Sequence, residues 1–171
     1  MLSKKMEKMI NDQMSFEIYS GYIYLAMGAY MDSLDLPGFA NWMKVQWEEE
    51  FFHAKRMYAY LVGRGGRPTF AAVPVPPVEW KSVKAAFEHA LEHERIVTGR
   101  INDIMTAAIK ENDHATSSFY KWFVDEQVEE ESNVQTIIKQ LKLMNESGQG
   151  MFMMDKDLAA RVFVPPVVQG A

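Results

Sequence analysis

Apolar residues recur at intervals of three and four along four long stretches, roughly 4 to 33, 37 to 63, 80 to 110 and 115 to 145, and none alternates as a half-buried strand would. The predicted fold class is all-α. Short polar breaks, "DSLDLPG" at 32 to 38 and "KENDHATS" at 110 to 117, separate the first stretch from the second and the third from the fourth. Connections this short join antiparallel neighbours, so the helices read as two hairpins. The middle connection, "GRGGRPTFAAVPVPPVE" at 63 to 79, opens on a glycine cluster that stops a helix and continues Pro-rich and extended. At about 3.1 Å per residue, about fifteen such residues reach about 47 Å, enough to run back along a helix of about 40 Å. The pattern predicts a four-helix bundle with one long crossover. Beyond it, "MFMMDKDLAARVFVPP" at 151 to 166 predicts a short fifth helix over 151 to 162, stopped by Pro165 and Pro166.

A helix advances about 100° per residue, which places each side chain around its axis. Met6, Ile10, Met14, Tyr24 and Met31 fall within about 60° of Glu17 on the first stretch. On the second, Met43, Gln46, Ala54, Met57 and Leu61 gather within about 40° of Glu50, and His53 sits about 60° to one side. Phe87, Ala90, Ile101 and Met105 centre on Glu94; Phe123, Val134, Ile137 and Leu141 centre on Glu130, with Glu126 and Gln127 flanking. Every helix aims one glutamate at the core. Glu17 and Glu50 lie equally far from position 33.5 inside the first break, and Glu94 and Glu130 from position 112 inside the second, so each pair stands side by side in its hairpin. With the hairpins in register, four carboxylates meet on one level.

An uncompensated buried carboxylate costs several kcal/mol, and four together repel one another. No Lys or Arg lies on these stripes near them, so they share protons or hold cations. Two divalent ions balance four carboxylates, and His53 and Gln127 add neutral ligands. The Glu50-x-x-His53 spacing aims two ligands at one ion, a motif of di-iron carboxylate bundles. Oxygen-rich ligation with a single imidazole suits iron or manganese better than structural zinc. Glu48 points about 160° away from Glu50, into solvent, and Glu49 lies on the flank.

Composition narrows the setting. The 171 residues, 48% hydrophobic, suit one domain with a continuous core. No run of about 18 apolar residues occurs and the first segment is polar, so neither a membrane span nor a secretory signal is expected, and the cytoplasm is the predicted location. The absence of cysteine removes disulfides and thiolate metal sites. A net charge of -5 argues against a nucleic-acid partner. "GRGG" follows a helix and no strand, which makes it a helix stop, not a phosphate loop. "HALEH" at 89 to 93 has the form of a zinc-protease motif, but His89, Glu92 and His93 lie about 100° to 160° from Glu94 and read as an exposed polar face. The 13 methionines read as core filler. Phe39, Trp42 and Phe119 near helix ends, with Leu158, Val162 and Phe163 in the tail, read as outward apolar residues that a closed homo-oligomer would cover.

The segments "EIYSGYIYLAM", "NWMKVQWEEEFFHAKRMYAYL", "AFEHALEHE" and "FVDEQVEEE" resemble the non-haem ferritins of bacteria and archaea, in order and at matching spacing, from about residue 4 to 166. The resemblance implies one ferritin-like domain over 1 to 171. It implies a shell, usually of 24 subunits, that oxidises Fe(II) with O2 and stores Fe(III) as a mineral. Carried over by position, one iron would use Glu17, Glu50 and His53. A second would use Glu50, Glu94 and Glu130 with Gln127 close by, and Glu49, Glu126 and Glu129, with Glu130 shared, match a third iron site. Tyr24 and Trp122 match aromatic residues near the centre, as electron donors or as ordinary core packing. Bacterioferritins carry a second E-x-x-H on helix four, where this chain has Gln127-x-x-Glu130, and a haem-binding Met where Phe52 stands; no haem is expected. Rubrerythrins add a cysteine-bound iron domain, which the composition excludes. The alternatives are a di-iron oxidase acting on another substrate, or a cage that sequesters metal without rapid oxidation.

Overall fold

Five helices follow one another in the computed structural model, which describes residues 2–145 and 147–166: α1 Lys4–Ser33, α2 Pro37–Gly63, α3 Val83–Lys110, α4 His114–Met144 and α5 Gly148–Leu158. No strand occurs among the described residues. Side-chain oxygens satisfy the first free amides of four helices: Ser3 accepts from Met6, Ser82 from Ala85, Asp113 from Thr116 and Ser147 from Gly150. Asp35 and Asn112, in the two short turns, take the left-handed conformation that Asp and Asn tolerate, with φ of 58° and 55°.

Helices α1 and α2 pack as one hairpin and α3 and α4 as the other. The segment between α2 and α3 has no regular structure and runs along α1. Near one end, Glu7 accepts from the Arg67 amide at 2.8 Å, and Asn11 brackets Arg67 and Thr69. Near the other, the Tyr30 hydroxyl donates to the Trp80 carbonyl at 2.9 Å. This is the long crossover of a ferritin-like four-helix bundle.

Helix α2 begins without a side-chain cap of its own. Asp155 of α5 supplies one: its Oδ1 accepts from the amides of Gly38 at 2.8 Å and Phe39 at 3.0 Å, placing a carboxylate at the positive end of the helix dipole. The approach is so close that a Cβ on residue 38 would stand 1.6 Å from the Asp155 carbonyl oxygen, so only glycine fits there.

Element ends differ from the periodicity in two places. The third helix starts at Val83 and not at 80, because Ser82 caps it and Trp80 turns back, its indole N–H donating to His89 at 3.1 Å. The fifth spans 148 to 158, not 151 to 162, and the prolines do not stop it. Ser147 starts it early, and at its end the Asn41 amide reaches the carbonyls of Leu158 and Arg161 at 3.2 and 2.9 Å, drawing the chain out along α2. The expectation that Phe39 and Trp42 face outward is also corrected. Both are buried inside the subunit, their rings 6.0 and 5.2 Å from Phe87, because α5 and the tail cover the start of α2. Phe119 is half-buried and stacks on Tyr60 at 4.0 Å. Val162 is exposed as expected, and other exposed apolar side chains lie at Tyr22, Leu25, Ile109 and Phe152.

The core is divided. Met27, Met31, Phe39, Met43, Phe87, Ile138 and Leu141 fill one end of the bundle; Met6, Ile10, Met57, Leu61, Ile101, Ile104 and Phe123 fill the other. Between them lies a polar layer.

Candidate metal centre

Glu17, Glu50, Glu94 and Glu130 form that layer, one from each long helix, and none is more than 3% exposed. Glutamine amides reach three of them. Gln13 donates to Glu17 at 2.8 Å, Gln46 to Glu130 at 2.8 Å and Gln127 to Glu94 at 3.1 Å. Glu94 also accepts from the Tyr24 hydroxyl at 2.5 Å. Glu50 has no such donor. Its Oε2 and Glu17 Oε2 are buried without a hydrogen-bond partner, and His53 Nδ1 stands 3.6 Å from Glu50 Oε2, too far for a hydrogen bond.

Ligand atoms of Glu17, Glu50 and His53 lie within 4.8 Å of one another, and so do those of His53, Glu126 and Glu130. Two facing carboxylates hold no hydrogen to share unless one is protonated, so their contact needs a proton or a cation. The electrostatics agree. Burial pushes Glu94 up to about 7 and raises Glu17. Burial, joined by the charges of Glu94 and Glu17, raises Glu50 well above the carboxylate range, and burial with Glu94 does the same to Glu130. Burial pulls His53 down to about 3, with the nearby Arg56 charge adding to it, so its imidazole is neutral with a lone pair to give. Tyr24 is raised by burial and the surrounding carboxylates, which keeps its hydroxyl a donor.

The residues matched to a third site are placed unevenly. Glu126 is half-buried beside the layer and pushed up to about 6, by burial first and then by Glu129 and Glu49. Glu129 is exposed. Glu49 is held by the tail: Arg161 donates to its Oε2 at 2.6 Å while the guanidinium lies 4.7 Å from the Trp42 ring centre. Trp122 meets His53 edge-on at 5.5 Å and carries Arg56 over its face at 3.9 Å. The "HALEH" reading is corrected in part. Glu92 is exposed, but His93 is buried, its Nε2 2.8 Å from the Ser20 hydroxyl and its ring stacked on Phe16 at 5.1 Å. A position about 100° off the stripe faces α1 in the neighbouring hairpin, which a single-helix wheel does not show.

The helical pattern does not single out Gln13, Arg100 or Arg161, and it places Gln46 on the Glu50 stripe without a role. Gln13 stands one turn before Glu17, and that spacing is the available signal for their bond; Gln46 stands one turn before Glu50 but reaches Glu130 instead, which no local spacing marks. Nothing local marks Arg161, which reaches Glu49 only through the docking of α5.

A buried layer of four carboxylates and a neutral histidine, in a bundle with one long crossover, offers ligand groups that could hold a metal ion. The profile of the ferritin-like domain matches residues 7–144, and the chain belongs to that family. It is 41% identical over 163 residues to a bacterial non-heme ferritin of Staphylococcus haemolyticus, spanning 95% of this chain and 98% of that one. An engineered closed form of the Archaeoglobus fulgidus ferritin superposes with a TM-score of 0.94 at 46% identity, covering 96% of this chain and 100% of that one. The open-pore ferritin of the same archaeon gives a TM-score of 0.93 at 46% identity, covering 94% and 98%. Among the described residues, no helix is long and apolar enough to cross a membrane.

Proposed function

We propose that this chain is an iron-storage and detoxification protein of the cytoplasm, whose ferroxidase centre oxidises Fe(II) with O2 and passes Fe(III) to a mineral inside a 24-subunit shell. The observation that carries the reading is the pair of partnerless buried oxygens, Glu17 Oε2 and Glu50 Oε2, beside the neutral His53. Leaving them unmatched costs about 1–3 kcal/mol each or more, which a divalent cation between them removes. Glu17, Glu50 and His53 hold one Fe(II); Glu50, Glu94 and Glu130 hold the second, with Gln127 orienting Glu94. Each Fe(II) gives up one electron; O2 takes both with two protons and leaves as H2O2. Ligation by carboxylates suits ions that must depart as Fe(III). The test is to load the apo-protein in air with Fe(II) far beyond the capacity of the centre and sediment it. Iron travelling with a closed shell is expected; iron precipitating apart from the protein, or protein sedimenting as monomer or dimer, contradicts the reading.

Glu49, Glu126, Glu129 and Glu130 form the third site in this reading, and Arg161 already occupies Glu49. An ion using Glu49 displaces the guanidinium. A partly exposed pair of this kind is worth up to about 1 kcal/mol, so Arg161→Gln is expected to tighten binding of a third Co(II) per subunit about three- to fivefold. Calorimetric titration checks this, with unchanged third-ion affinity as the opposing result.

A further inference from the structure

Glu17 is the one carboxylate of the centre whose amide partner is itself anchored by a charge. Gln13, fully buried, donates through Nε2 to Glu17 Oε1 at 2.8 Å and accepts through Oε1 from Arg100 Nε at 2.6 Å. Arg100 is fixed in turn. It donates to the Asp12 carbonyl at 3.0 Å, and its guanidinium lies 4.2 Å from the Phe16 ring centre. Its side chain borders a surface cavity of about 140 Å³ lined by Met9, Asp12, Gln13, Arg100, Asp103 and Ile104.

A guanidinium has donors only, and an ionised carboxylate has acceptors only. Between them a glutamine amide has one workable orientation, oxygen toward Arg100 and nitrogen toward Glu17; the flipped amide meets a donor with a donor and an acceptor with an acceptor. Gln46, the comparable partner of Glu130, lacks such an anchor, for its Oε1 is buried without a partner. Arg100 thus decides which way Gln13 faces. Gln13 decides which oxygen of Glu17 is tied down and which, Oε2, is left buried without a hydrogen-bond partner, in a residue whose ligand atom lies within 4.8 Å of those of Glu50 and His53.

Resting on the reading of Glu17, Glu50 and His53 as an ion site, we propose that Arg100 and Gln13 are positioning residues for it, with Arg100 acting only through Gln13. Hydrogen-bond partners of metal ligands are worth about 10- to 100-fold in affinity.

The experiment uses Co(II) in place of Fe(II), with affinity from calorimetry and ligand geometry from the visible d–d absorption, on the intact protein. Gln13→Met, of similar volume, is expected to weaken the first Co(II) by about 10- to 100-fold and alter its spectrum, and Arg100→Met by about tenfold. Arg100→Lys keeps a donor and is expected to recover most of the affinity and the wild-type spectrum. Because Arg100 acts through Gln13, the double Met variant is expected to be no weaker than Gln13→Met alone. Wild-type affinity in Arg100→Met, additive losses in the double variant, or failure of lysine to rescue overturns the proposal. The two readings separate cleanly: the expected Co(II) pattern without Fe(II) oxidation keeps the relay and rejects the ferroxidase, whereas oxidation with no effect of these variants rejects the relay alone.

Discussion

Glu50→Ala is expected to lower the rate of the fast phase of Fe(II) oxidation by more than about 100-fold, beyond what loss of a ligand's hydrogen-bond partner costs. Glu50 shares a cluster of ligand atoms with Glu17 and His53, feels the charges of Glu94 and Glu130, and has no amide donor to hold it to one purpose. The same substitution separates a cation site from a structural ion-pair network. Removing one of several mutually repelling, desolvated carboxylates is expected to leave apo-protein stability unchanged or raised. Breaking a buried ion pair instead costs about 3–5 kcal/mol. Rapid-mixing oxidation kinetics and thermal unfolding of the same variant report the two effects.

The second large effect is on the pH dependence of apo-protein stability. Glu94 is pushed up to about 7, and Glu50 and Glu130 well above 4.5, so in the window above 4.5 the folded state keeps protons that the unfolded chain has released. Stability contributed by such groups is complete below the unfolded pKa and is lost as pH rises through the folded one. His53 and His93, pulled down to about 3 and 4, act in the opposite sense, adding stability as pH rises to the unfolded value near 6.5. The carboxylates outnumber them. The apo-protein is therefore expected to lose stability from pH 5 to pH 8, most steeply above 6.5, where the histidine contribution is complete. At about 1.4 kcal/mol per unit, Glu94 alone accounts for a loss on the order of 3 kcal/mol. Zn(II) is expected to reverse the slope, because ions bind the deprotonated carboxylates. Unfolding midpoints at pH 5, 6.5 and 8, with and without Zn(II), check both signs; an apo-protein that gains stability steadily with pH refutes this electrostatic account.

The helices, the long crossover and the shared level of the four glutamates were legible because each follows from periodicity and from distances to a turn, which are local. What escaped detection depends on contacts between elements. His93 is buried by α1, Phe39 and Trp42 by α5 and the tail, and Arg161 reaches Glu49 only because Asn41 holds the end of α5. A wheel drawn for one helix shows which side faces the bundle axis, not which flank a second helix will cover. Gln46 stands on the Glu50 stripe, but its partner Glu130 lies across the interface on α4, and only that partner shows the buried amide to be a donor to a carboxylate. The third-site set shows the same limit: its sequence match is complete, yet Glu129 is exposed and Glu49 is engaged by the chain's own arginine.

The central claim, a carboxylate centre that oxidises ferrous iron in pairs, is tested most directly by adding Fe(II) in steps to the apo-protein in air while recording oxygen uptake and the ferric absorbance. The account predicts rapid oxidation up to about two Fe(II) per subunit, with about one O2 consumed for every two Fe(II), and a break in rate at that ratio that disappears in Glu50→Ala. Oxidation no faster than in protein-free buffer, or a rate with no break that Glu50→Ala leaves unchanged, would contradict it.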